Sequence, residues 1–261
     1  MGHTRIGRLN RSQKWKDVVA AFCLGAETEQ IAKMTIDAVA NGFNYDKITH
    51  DAGYQKAVEL LVNLGIAAQC GDFVGHMREC GIDLSDSPSI QELNAKLVEA
   101  VDDAAWESPG GKSNIAEFAQ NALCNAVSRC AEKEKSQDIP GLIVRPDISV
   151  FNTFGTRANL AELNQNFIAQ VTSRCLNYYL AQIIPNLTGI AQKVPSIFEV
   201  NASYIALEKY CYETAEVHRV YATEWLGKHQ YQLKDVNPKT IKKHANFLVA
   251  KMLRALKYGK D

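Results

Sequence analysis

Gly110-Gly111-Lys112-Ser113 has the residue types that end a phosphate-binding loop, in which backbone N–H groups and a lysine hold phosphate oxygens. That chemistry needs a glycine five places before Gly111, where this chain has Trp106, and a preceding strand, where the pattern here is helical. The four residues therefore read as a glycine break followed by a helix-capping serine. His76 and Glu79 stand three apart, a spacing that puts two metal ligands on one helix face. One such pair is half a site, and no second Glu-x-x-His accompanies it, so neither a metal nor another cofactor is expected. Among the six histidines, none forms a His-Glu-x-x-His pattern, and His218 shares an apolar stripe with Cys211 and Tyr221, which reads as a core histidine. Gly-x-Ser-x-Gly is absent, and no cysteine has a sequence-local activating group. The sequence thus offers no catalytic residue and indicates no small-molecule substrate.

Two patterns suit binding. In Asn152-Thr153-Phe154-Gly155-Thr156-Arg157, the amides at the start of a helix plus the Arg157 guanidinium suit an anion, which makes Thr156 and Arg157 a candidate anion site. The plain alternative is that these residues make the turn and the cap. The larger signal is charge. The chain is formally neutral, with 29 basic and 29 acidic residues, but no acid occurs in residues 1–16 or 239–260. Arg5, Arg8, Arg11, Lys14 and Lys16 lie in the first stretch, and Lys239, Lys242, Lys243, Lys251, Arg254, Lys257 and Lys260 in the second. An acidic body therefore carries two basic ends. Those ends either fold back on the body or a sister copy of it, or reach an anionic partner.

The elements that position these groups are helical. Ser12 is placed to cap a first helix with Trp15, Val18, Val19 and Phe22 on one stripe. A second helix runs from Glu27 to Ala40, and a third from Asn44 to Gly65 with Ile48, Ala52, Val58 and Leu61 on its buried side. A short segment covers residues 72–80. Ser89 and Glu92 form a capping box ahead of Ile90, Leu93, Leu97 and Val101, and Ser113 opens a helix bearing Ile115, Phe118, Leu123 and Val127. From Gln137 to Gly155 the prolines predict a loop or one short extended piece and mark a domain boundary. Thr156 to Ile184 is the longest periodic stretch, with Leu160, Leu163, Phe167, Val171, Cys175 and Tyr178 at steps of three and four. A further helix starts near Asn201, with Leu207, Cys211, Tyr221 and Trp225 in line. In the last one, Lys239, Lys242, Lys243, Arg254 and Lys257 group opposite Ile241, Ala245, Leu248, Met252 and Leu256.

About nine helices and almost no strand predict an all-α, bundle-like body of two packed subdomains, residues 1–136 and 137–261. With 46% hydrophobic and 22% charged residues, the composition excludes a disordered chain. The seven scattered cysteines lack a Cys-x-x-Cys pair and point to a reducing compartment, the cytoplasm, rather than a disulfide framework. No apolar run reaches bilayer length, and the last helix lacks a second membrane anchor, so a membrane partner ranks low. The expected function is a non-enzymatic adaptor or subunit of a larger cytosolic assembly, bound to other protein subunits or to its own kind. The alternative is an accessory nucleic-acid-binding protein touching phosphates through Arg5, Arg8, Arg11, Lys14 and the bases of the last helix.

Overall fold

Eleven α-helices and one 3₁₀ turn, with no strand, make up the regular structure of residues 12–39, 45–136, 146–183, 197–219, 224 and 237–259, which the computed structural model describes. The expected all-α class is the class observed. In chain order the helices are α1 (Gln13–Cys23), α2 (Thr28–Val39), α3 (Tyr45–Thr49), α4 (Ala52–Cys70), α5 (Phe73–Glu79) and α6 (Ile90–Glu107). They continue with α7 (Asn114–Lys135), α8 (Asp147–Phe151), the 3₁₀ turn Asn152–Gly155, α9 (Arg157–Ile183), α10 (Ile197–Thr214) and α11 (Pro238–Tyr258).

The helix starts follow the capping side chains. Ser89 Oγ accepts from Glu92 N at 3.1 Å, and Ser113 Oγ accepts from Ala116 N at 2.9 Å. Thr156 Oγ1 accepts from Asn159 N at 3.3 Å. The expected capping box at Ser89 is more spread out than its pattern: the Glu92 carboxylate accepts from Ser85 N at 2.6 Å and Ser85 Oγ at 2.8 Å. The amide of Ile90 instead donates to Asp147 Oδ2 at 2.9 Å, a side chain 57 positions away that is also paired with Lys135.

Three expected boundaries differ. The third helix divides at His50–Asp51, because the Asp51 side chain accepts from Tyr54 N at 2.9 Å and starts a new helix there. That helix runs through Gly65 to Cys70 instead of stopping: Gly65 is where Leu160 of α9 packs, and a Cβ there would lie 2.4 Å from Leu160 Cδ2. The stretch expected to be loop up to Gly155 contains α8 and the 3₁₀ turn, which bury Val150, Phe151 and Phe154. The short extended piece at Ile139–Asp147 lies mostly outside the described residues, as do Tyr221 and Trp225 of the expected stripe.

Helix α9, about 40 Å long at 1.5 Å per residue, lies at the centre. It packs against α7 and α10 along its sides and also meets α2, α4 and α11. The predicted apolar stripe is buried except for half-buried Tyr178, and so is most of the rest of the helix, including Asn164, Gln165, Asn166, Gln170, Thr172 and Ser173. Helix α4 is the second hub, touching α5, α6, α7 and α11, and Tyr54 stacks on Phe167 of α9 with ring centroids 6.1 Å apart. One apolar core runs from Trp15 to Leu256 and takes residues from both sides of the expected division at 136/137.

The starts of α4 and α7 are knotted together. Ser113 Oγ, while capping α7, donates to Asp51 Oδ2, which caps α4. Burial lifts the Asp51 carboxyl above its usual range despite hydrogen bonds from Ser113, Tyr54 and Gly53. Gly53 permits this approach, since a Cβ there would sit 2.8 Å from Ala116 Cα and 2.4 Å from its Cβ. Gly53→Ala therefore lowers stability by about 1–3 kcal/mol, although alanine favours helix. Gly65→Ala, which meets only the movable end of Leu160, costs less. Urea unfolding of the two variants beside the parent checks the order.

Candidate functional site

Helix α11 is held to the body by its apolar face and by two bonds to carbonyls in its interior. Asn237 Oδ1 caps it, accepting from Thr240 N at 3.0 Å, and Pro238 takes the first turn, where a missing N–H does no harm. Ile241, His244, Ala245, Leu248, Val249, Met252, Ala255 and Leu256 are buried. The Tyr54 hydroxyl donates to Ala245 O at 2.9 Å, and His218 Nε2 lies 2.9 Å from Leu248 O. The His218 ring is fully buried, with Nδ1 3.2 Å from Ala215 O, so it ties the end of α10 to α11. Burial pulls its pKa down to about 4, outweighing both carbonyls, and the ring is neutral at pH 7. It is a core histidine, as its place on the stripe suggested.

The opposite face of α11 carries Lys239, Lys242, Lys243, Arg254 and Lys257, all exposed. None of them makes an ion pair among the described residues, and only Lys257 has a ring contact, over Tyr258 at 5.1 Å. The body treats its bases differently: Lys33, Lys56, Arg78, Lys96, Lys112, Lys133, Lys135, Lys209 and Arg219 are each paired with a carboxylate. Between the two basic clusters of α11, about 16 Å separates Lys243 from Arg254. Asn246, Phe247, Ala250 and Leu253 fill this window, half-buried or exposed. The first turn of α11 holds no acid, so its three lysines face the positive end of their own helix dipole.

The remaining candidates lie elsewhere. Lys14, on α1, donates to Asp37 O near the end of α2 at 3.3 Å, the end of a helix that favours a cation. Arg5, Arg8 and Arg11 fall outside the described residues. At the start of α9, Thr156 is used as the cap, and the Asn159 side chain donates to Thr153 O at 3.0 Å and to Glu134 Oε1 at 3.0 Å. A carboxylate of the chain itself thus stands beside this helix start, while Arg157 points to solvent. His76 Nε2 lies 3.7 Å from Cys80 Sγ rather than pairing with Glu79. Lys112 pairs with Asp102, and Gly111 takes a left-handed turn with φ 65°. Among the described residues, no three His, Cys, Asp or Glu side chains gather as metal ligands would, and no helix is long and apolar enough to cross a membrane.

A polar cluster that no local pattern announces lies along an open cleft of about 740 Å³ between α7, α9 and α10. Glu162 of α9 is its centre. Oε2 receives Lys133 Nζ at 3.0 Å and Arg219 Nη1 at 3.1 Å, and Oε1 receives the Tyr212 hydroxyl at 3.0 Å and Asn166 Nδ2 at 3.2 Å. Burial pushes the carboxyl pKa up, but the bonds from Lys133 and Tyr212, the charge of Lys133 and the Arg219 bond outweigh it and hold it below the usual range. Arg129 donates to Asn166 Oδ1 at 3.2 Å and lies over the Tyr212 ring. These groups satisfy one another, so the cluster acts as a clasp joining three helices and the helical residues 217–219. Apart from Asn166, one turn on, its members lie 29 to 57 positions from Glu162, out of reach of any motif. Comparison with family models, curated proteins and solved structures finds no match for this chain.

Buried His218 and half-buried Glu162 make the fold sensitive to acid. For His218, the folded pKa lies below the unfolded value of 6.5, so the unfolded chain binds the proton first. Its contribution is complete above that value and is lost as pH falls from 6.5 toward about 4. The loss is on the order of 3 kcal/mol. His218→Gln removes this slope, read from denaturant midpoints across pH. Glu162 is depressed below its unfolded 4.5, so its share is present above that pH and lost as pH falls through the folded value. Glu162→Gln, which leaves Lys133 and Arg219 facing a neutral amide, costs about 1–3 kcal/mol at pH 7. The deficit closes when the parent's own carboxyl is protonated in acid.

Proposed function

We propose that this chain is a non-enzymatic helical subunit of a larger protein assembly, and that it engages an acidic protein surface through the outward face of α11. The observation that carries this reading is the contrast in charge use. Nine bases of the body are matched with carboxylates, whereas five bases on one buried-backed helix face outward with no ion pair among the described residues. Exposed ion pairs contribute little individually, but a fixed row of like charges on a rigid helix sets a field that steers and orients an oppositely charged partner.

The window of Asn246, Phe247, Ala250 and Leu253 favours protein over nucleic acid as that partner. A phosphate backbone offers evenly spaced charge and rewards bases along the whole track. A protein surface matches an apolar centre with a charged rim, and here Phe247, Ala250 and Leu253 lie between the two basic clusters, with Lys251 over the Phe247 ring at 5.6 Å.

Titration of the full chain with a glutamate-rich helical peptide bearing central leucines, across a series of ionic strengths, tests this. The expected result is binding that weakens with salt and falls about tenfold or more in Lys242→Glu/Lys243→Glu. Binding indifferent to salt and to that reversal overturns the reading. Tighter, salt-dependent binding of a short DNA duplex through the same lysines replaces it with the nucleic-acid alternative.

A further inference from the structure

Resting on the reading of α11 just given, we infer that the acidic surface it engages is a second copy of this chain, at the groove along the C-terminal half of α6. This groove, about 410 Å³, runs beside half-buried Ala100 and Ala104 and is edged by Asp83, Glu99, Asp103 and Glu107. Two lysines also line it, but Lys56 is held by Glu59 at 2.7 Å and Lys96 by Glu99 at 2.8 Å. Asp83, Asp103 and Glu107 are exposed and make no ion pair among the described residues.

The two surfaces match in spacing. Glu99, Asp103 and Glu107 recur every four residues, about 6 Å apart along one face of α6. Lys239 and Lys243 recur at the same interval on α11, with Lys242 beside them. Two helices laid side by side with equal four-residue ridges bring such rows into register, and the small side chains of Ala100 and Ala104 let the second helix approach.

They also match in a second, independent way. The last turn of α6 has no base and ends in Glu107, one turn after Asp103, so acids sit at the negative end of that helix dipole. The first turns of α11 have no acid and three lysines, so bases sit at the positive end of its dipole. Each helix carries the sign its own dipole disfavours, and the two disfavoured ends are opposite. Setting the start of α11 against the end of α6 relieves both at once. Within one chain, no ion pair among the described residues makes that contact. Because the donor face and the acceptor groove are different patches, each copy offers both, and the contact closes into a dimer when both form together or runs on to larger species when they do not.

Sedimentation velocity of the full chain over a range of concentrations, at low and high ionic strength, reads the outcome. The mass is expected to rise with concentration at low salt and to return to the monomer at high salt. Glu99→Lys/Asp103→Lys/Glu107→Lys and Lys239→Glu/Lys242→Glu/Lys243→Glu, each confirmed folded by circular dichroism, are expected to be monomers alone. Mixed together, the two variants are expected to associate again, since each then supplies the charge the other lacks. A wild-type chain that stays monomeric throughout at low salt overturns the inference, as does association untouched by the α6 reversal or a mixture that stays monomeric. A monomer that still binds the glutamate-rich peptide sinks this inference alone, and a monomer that also ignores the peptide sinks the reading it rests on as well.

Discussion

Everything in this structure depends on keeping α9 out of water. A helix that is wet on one face needs a layer on the other side only, whereas α9 is buried nearly all round over residues 159–173. Its sequence is rich in amides and hydroxyls there, and each such group loses solvent hydrogen bonds on burial, a cost of a few kcal/mol when nothing replaces them. Replacement comes partly from the helix itself: Asn164 Nδ2 donates to Leu160 O at 2.9 Å and Thr172 Oγ1 to Ile168 O at 2.7 Å. It comes partly from α10, where Tyr212 O accepts from Gln165 Nε2 at 3.0 Å and Glu208 accepts from Gln170 Nε2. The surrounding helices therefore have to be at fixed heights and rotations along α9, not merely close to it. Apolar contact alone would allow sliding; these bonds do not.

The same demand explains the ion pairs that reach α9 and the segment before it. Lys133 and Arg219 converge on Glu162 because a half-buried carboxylate on α9 needs partners from the helices on either side. Asp147, paired with Lys135, also caps the first amide of α6 and so ties the segment after residue 146 to α6 and α7. Charges used in this way have little reach beyond the molecule. The bases of α11 are different in kind: their helix is already anchored by Ala245, Leu248 and the other buried residues of its inner face, so its outer face takes no part in holding the fold together through ion pairs among the described residues.

The sequence made legible whatever depends on neighbours within a few positions. Ser89, Ser113 and Thr156 cap where their spacing to the following residues says they should, and the two faces of α11 separate as the 3.6-residue period requires. What stayed hidden was decided by contacts across the fold. Gly65 looks like a helix end, yet it continues the helix because Leu160 of α9 fills the space a side chain would take. Asp51 looks like an interior polar residue, yet it caps a new helix through Tyr54 N, and Ser113 of a distant element donates to its other carboxylate oxygen. Glu162 looks like one of many acids on a periodic stretch. Nothing local tells that Lys133, Tyr212 and Arg219 will reach it, so the clasp could be found only by bringing helices together.

Charge placement on α6 and α11 is informative for the reason that it violates a local rule. Natural helices gain by placing acids at their starts and bases at their ends, and the gain is available to any exposed position at little expense elsewhere. α7 follows that preference, with Glu117 in its first turn and Lys133 and Lys135 in its last. α6 has a base in its middle and none at its end, and α11 has bases at its start and no acid there. Folding of the isolated chain gives no reason for either choice, since both sets of side chains are exposed and could be exchanged without disturbing the core. The two rows are opposite in sign, and among the described residues no ion pair joins one to the other.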